Sequence, residues 1–281
     1  MTTRGTTPTS LLLISPRDAV RLLGGSVAAL VVIATLLGAF RLLSGHDNLL
    51  GLMPMFDLTL ENNVPTWFSG GLLLAASILL GLIARHGQTA HPALLAGSRP
   101  AQWYGLALIF AYLSLDEVAQ LHERTTQPTR DLLGVGGVLY WAWVVPALLA
   151  ALAVGMLYWR FLTRLPARTA RGFVIAAVLF VGAAVGGDVL GGLIRMADVA
   201  APTARVLNWL VSLVEETLEM SAIVVFIHDL LRHAAGAATT QGTAAGGSPR
   251  GGESALRSGQ MDPGFGLGTP VGGSATRTAA T

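Results

Sequence analysis

The sequence predicts an all-α fold, a polytopic transmembrane bundle of six helices, and three observations carry that expectation. Of 281 residues 52% are hydrophobic and only 12% charged, about half the roughly 25% charge of a soluble domain. Six apolar stretches reach the ~20 residues that a ~30 Å hydrocarbon core requires. All 18 basic residues are arginine, and they punctuate the apolar stretches. Despite a pI near 9.5 they form no basic patch, so no nucleic-acid partner is expected. With no cysteine, disulfides, thiolate nucleophiles and cysteine-held metals are excluded.

The first helix is expected over about 22–40, between Arg21 and Arg41. Its apolar run exceeds a signal-peptide core and no A-x-A-like cleavage site follows Phe40, so it is read as retained. The second runs over about 65–84 from Pro65, which suits a first helical turn, and the third over about 102–124. The fourth covers about 138–159, with Pro146 expected to kink it. The fifth covers 172–194 and the sixth 203–231. Residues 1–19 form an N-terminal arm, 20–232 the membrane domain, and 233–281 a Gly/Ala/Thr-rich tail too poor in apolar periodicity to order.

Arginines set the orientation. Arg4, Arg17 and Arg21 lie in the arm, Arg85 and Arg99 between helices two and three, and Arg160, Arg164, Arg168 and Arg171 between four and five. Both termini are therefore expected on the cytoplasmic side. Trp67, Tyr140, Trp141, Trp143 and Trp209 would form the outer aromatic belt, and Trp103, Tyr158 and Trp159 the inner one.

The informative residues are carboxylates within apolar helices. Helix three carries Asp116, Glu117, Gln120, His122 and Glu123, helix five Asp188, and helix six Glu215, Glu216 and Glu219. Each charge at mid-membrane costs about 2.5–3.5 kcal/mol, and the set together well over about 10 kcal/mol. Such groups must be solvated, protonated, paired or metal-bound. The orientation brings all three groups to the outer half of the bundle; Asp229, at the inner end of helix six, is left to pair with Arg232 or sit in the interface. Asp116, Gln120 and Glu123 share a helical face, as do Glu215 and Glu219. His122 would lie about 120° from Asp116 on a continuous helix, which argues against joint coordination.

Ahead of helix two, Asp57, Thr59, Glu61 and Asn63 alternate like the first ligands of a calcium loop, without its sixth-position glycine or twelfth-position acid. Asp57, Glu61 and Asn63 are either an outer cation loop or an interfacial turn in which Asn62 or Asn63 caps helix two. Gly182 with Gly186, and Gly187 with Gly191, are read as close-packing pairs. Walker, GxSxG and HExxH motifs are absent. Any metal would be an oxygen-ligated divalent cation.

The stretches FDLTLENNVPTWFS, SLDEVAQLHE and EETLEM resemble a group of uncharacterised bacterial multi-pass inner-membrane proteins over roughly residues 50–225. Thr59 departs from the Asp expected at its position. The resemblance implies a bacterial inner membrane and brings no activity or catalytic residue.

Three readings fit. The acidic stripes could serve a small cation- or proton-coupled transporter. They could serve an intramembrane enzyme acting on a lipid-like substrate, with Asp116 or Glu216 as base and a carboxylate-held metal. Or they could belong to a structural subunit that pairs with a membrane-protein partner or a second copy of itself.

Overall fold

The computed structural model describes residues 15–46 and 49–246, with side chains to residue 237; most of the expected N-terminal arm, Asp47 and the chain beyond 246 lie outside the described residues. Among the described residues every regular element is helical. Helix α1 (Pro16–Ser44) starts where the Ser15 hydroxyl accepts from the Asp18 N–H with Pro16 in the first turn, and ends at Gly45 in the left-handed region. A short α2 (Leu52–Phe56) leads to α3 (Val64–Thr89), whose N-terminus is capped by Asn63 Oδ1 accepting from the Thr66 N–H at 3.1 Å. Pro65 falls in its first turn, because a missing N–H costs nothing there.

Helix α3 is the most enclosed of the apolar helices. Leu72, Leu73, Ala76, Leu80, Ile83 and Ala84 are buried at helical spacing, and α3 packs along α4 (Pro100–Ala119). Two hydroxyls stitch the pair: Ser77 donates to the Ala107 carbonyl at 2.7 Å and Ser114 to that of Gly70 at 2.8 Å. These bonds satisfy polar groups that have no water to turn to.

The third expected helix is not continuous. Gln120 takes φ 53° and ψ 45°, and the chain turns by 83° into α5 (Leu121–Leu133). Most of α5 lies in what the sequence read as a loop. Neither Gly nor Pro marks the break, so nothing local announced it. A 3₁₀ turn at Gly137–Leu139 precedes α6 (Val144–Leu162), which places Pro146 in the first turn rather than at a mid-helix kink. Tyr140 lies between the Arg130 and Arg195 guanidinium groups, 4.1 and 4.0 Å from its ring centre.

Helix α7 (Ala167–Met196) is followed by α8 (Ala201–Gly246), which continues past residue 233, where the sequence predicted an unordered tail to begin. Among the described residues four helices, α1, α3, α6 and α7, are long and apolar enough to cross a membrane, or five spans if the bent α4–α5 pair counts as one. The chain is a multi-pass membrane protein. Helix α8, expected as the sixth span, falls outside this set because Glu215, Glu216 and Glu219 interrupt its apolar run.

Contacts sort the connections into two ends. At one, His228 Nδ1 lies 3.3 Å from the Pro16 carbonyl and His233 Nε2 2.7 Å from that of Leu94. At the other, Arg41 pairs with Asp57 at 2.7 Å and Glu61 approaches His122. Most aromatic packing sits toward the first end, where Trp103, fully buried, meets Phe161, Phe173 and His233.

Candidate functional site

The break at Gln120 organises the site. Because the helix stops there, the His122 backbone N–H donates to Asp116 Oδ1 at 2.8 Å and His122 Nδ1 lies 3.1 Å from Oδ2. The 120° separation expected on a continuous helix is thereby cancelled, and the two residues meet directly. On its other side His122 Nε2 stands 3.7 Å from Glu61 Oε1, and its ring packs against Trp143 with centroids 4.6 Å apart. An imidazole thus bridges two carboxylates from different elements. With both carboxylates ionised, the imidazolium form donates from both ring nitrogens, whereas a neutral ring donates to one carboxylate alone.

Glu61 lies in the connection before α3. Burial raises its carboxyl above the usual range and the nearby charge of Glu123 adds to this, while His122 and Gln120 oppose it. Its Oε2 is buried and accepts no hydrogen bond. Glu123 is exposed beside this bridge, while Glu117, Asp188, Glu215, Glu216 and Glu219 are less exposed. Glu117 lies beside Ser69, whose hydroxyl is fully buried and makes no hydrogen bond of good geometry. Asp188 of α7 stands beside Trp143. Glu219 is 8% exposed and within electrostatic reach of Glu216, Glu117, Glu215 and Asp188. Glu215 rests on Gly187 of α7, where a Cβ would lie 2.5 Å from its Oε1 and nearer still to Oε2.

Asp116, Glu117, Gln120, His122, Glu123, Asp188, Glu215, Glu216 and Glu219, predicted from three helices, therefore occupy one region with Glu61. Asp57 and Asn63 do not join it. Asp57 pairs with Arg41 and accepts from the Thr59 N–H at 3.0 Å and its hydroxyl at 2.7 Å, and Asn63 caps α3. The alternating loop thus resolves into a turn and a cap, with Glu61 alone turned to the cluster. Among the described residues no group of three or more His, Asp or Glu side chains is arranged to hold a metal ion.

The profile of a family described as Domain of unknown function (DUF8692) matches residues 26–234. The chain belongs to this family. The matched span runs from Ser26, in the second turn of the apolar part of α1, to just past His233, and so contains the whole cluster. No curated protein and no solved structure matches the chain.

Sequence reasoning missed Trp143 and Ser69. Trp143 was placed in an interfacial belt, and its position next to His122 depends on where the 3₁₀ turn docks on α7. There Gly192 admits the Val138 carbonyl in a contact that no Cβ would allow. Of the two expected glycine pairs, Gly182 and Gly186 would meet nothing within 4 Å, whereas a Cβ at Gly187 would meet the Glu215 carboxylate and one at Gly191 would lie 3.5 Å from Trp141 Nε1; Gly192, which the spacing did not mark, makes a further close approach.

Proposed function

We propose that the protein is a small membrane carrier in which the carboxylate cluster takes up a proton or small cation from the outer side. The carrying observation is the broken α4–α5 helix whose first residues bring His122 between Asp116 and Glu61, at the mouth of the deeper Glu117, Glu216 and Glu219. Broken helices and buried ionisable chains mark ion pathways because both expose polar groups where lipid cannot satisfy them. In this reading α8 is the sixth crossing and both termini are cytoplasmic, in a bacterial inner membrane. His122 relays charge between the loop carboxylate and the helix carboxylate, and Glu216 and Glu219 store it.

The test is reconstitution into sealed liposomes with an entrapped pH dye and an imposed potential, repeated with Na⁺, K⁺, Mg²⁺ and Mn²⁺ gradients. Flux through the wild-type protein for at least one of these ions, lost in H122A, is expected. Wild-type liposomes no more permeable than protein-free ones to any of these ions would overturn the proposal.

A further inference from the structure

The cluster lies toward the end of the bundle that carries Glu61 and His122, and a carrier also needs a polar station toward the other end. From Glu219 to Asp229 is ten residues of α8, about 15 Å along the axis. Met220, Ile223, Phe226 and Ile227 are buried in that interval. The Phe226 ring stacks on Phe110 of α4 at 4.4 Å and packs on Phe173 of α7 at 4.6 Å. This layer separates the cluster from the far end.

Asp229 stands one turn beyond it. Its carboxylate rests on Gly172 of α7, where a Cβ would lie 3.2 Å from the Asp229 Cβ and collide with the carboxylate itself. Arg168, Arg232 and His228 surround it electrostatically. Glu215 is seated in the same way on Gly187. The two carboxylates are about 21 Å apart along α8 and the two glycines about as far apart along α7. One helix seam therefore carries a glycine-seated carboxylate on each side of an aromatic layer. Helix approach alone would need glycines only, and would not place an ionisable group on both of them.

We infer that the α7–α8 seam is the conduction path of the carrier, with Phe110, Phe173 and Phe226 as its inner gate and Asp229 as the carboxylate that hands the proton or cation to the inner aqueous side. This rests on the transport reading. The absence of cysteine permits a clean labelling test. D229C and E215C are made in the native chain, reconstituted in sealed vesicles and exposed to a membrane-impermeant maleimide. D229C should label only from the side bearing the termini and E215C only from the opposite side; labelling of both from one side would overturn the inference. In flux assays D229N should slow transport by about tenfold or more, D229E should recover part of the rate, and F226A should add an uncoupled leak. Wild-type rates in D229N and D229A, with the wild-type protein active, would overturn this inference and leave the carrier reading standing. An inactive wild type would overturn both. If D229N does not fold, F226A decides: a leak equal to wild type removes the gate and the inference with it.

Discussion

Three glycines of α7 within one stretch separate close packing from mere permissiveness. A Cβ at Gly186 meets nothing within 4 Å, one at Gly187 meets the movable end of Glu215, and one at Gly192 meets the backbone: the Gly137 carbonyl oxygen at 3.0 Å and that of Val138 closer still. Replacing an interior helical glycine with alanine stabilises by about 0.5–1 kcal/mol where space exists. G186A should therefore gain that amount, a rise of roughly 1–4 °C in the melting midpoint for a chain of this size. Overpacking against backbone costs about 1–3 kcal/mol, so G192A should fall net by about 1–2 kcal/mol, or roughly 2–8 °C. G187A should change stability least, because the Glu215 carboxylate can swing away, but it moves that carboxylate out of the cluster and should lower flux. The assay is thermal unfolding in detergent by tryptophan fluorescence, paired with flux in liposomes. A G192A protein as stable as G186A would refute the packing of the 3₁₀ turn on α7, and with it the placement of Trp143.

Other outcomes follow from single residues. Glu61 has its carboxyl raised by burial, so its ionised form opposes folding and the associated stability is lost as pH rises through its folded value; E61Q should melt above wild type near neutral pH, and the gap should close in acid, where wild-type Glu61 is protonated. A gap independent of pH would contradict this. Gln120 is a non-glycine residue at φ 53°, a conformation costing about 1 kcal/mol or more. Q120G should keep or raise stability while Q120V lowers it, and the opposite order in thermal melts would place the break elsewhere. The Ser69 hydroxyl is buried beside Glu117 and makes no hydrogen bond of good geometry, so S69A should cost no more than ~1 kcal/mol in stability; a larger loss would show that its contact with Glu117 is a structural hydrogen bond.

Membrane character was legible because length and apolarity are sufficient for it: the stretches expected at 22–40, 65–84, 138–159 and 172–194 correspond to α1, α3, α6 and α7. The cluster was legible because carboxylates in apolar helices have few places to go. The break at Gln120 was not, since no local Gly or Pro marks it and the contacts across it, His122 with Asp116 and with Glu61 of another element, are side-chain contacts that helical spacing does not show. For the same reason the geometry of His122 was misjudged, and Glu61 was grouped with Asp57 and Asn63 instead of with α4. Glycine spacing was a partial guide: Gly187 and Gly191 do meet neighbours. Gly182 and Gly186 fit the small-residue pattern and face open space, because spacing fixes which residues share a face and not which face meets a neighbour.

The most direct test of the central claim is charge displacement on a solid-supported membrane after a jump in pH or cation concentration, comparing wild type with E216Q/E219Q of matched size-exclusion profile. A carrier that loads a charge into this cluster gives a transient current that saturates with ion concentration in the wild type and is lost in the variant. A wild type with no transient current, or a variant whose current matches it, would contradict the account.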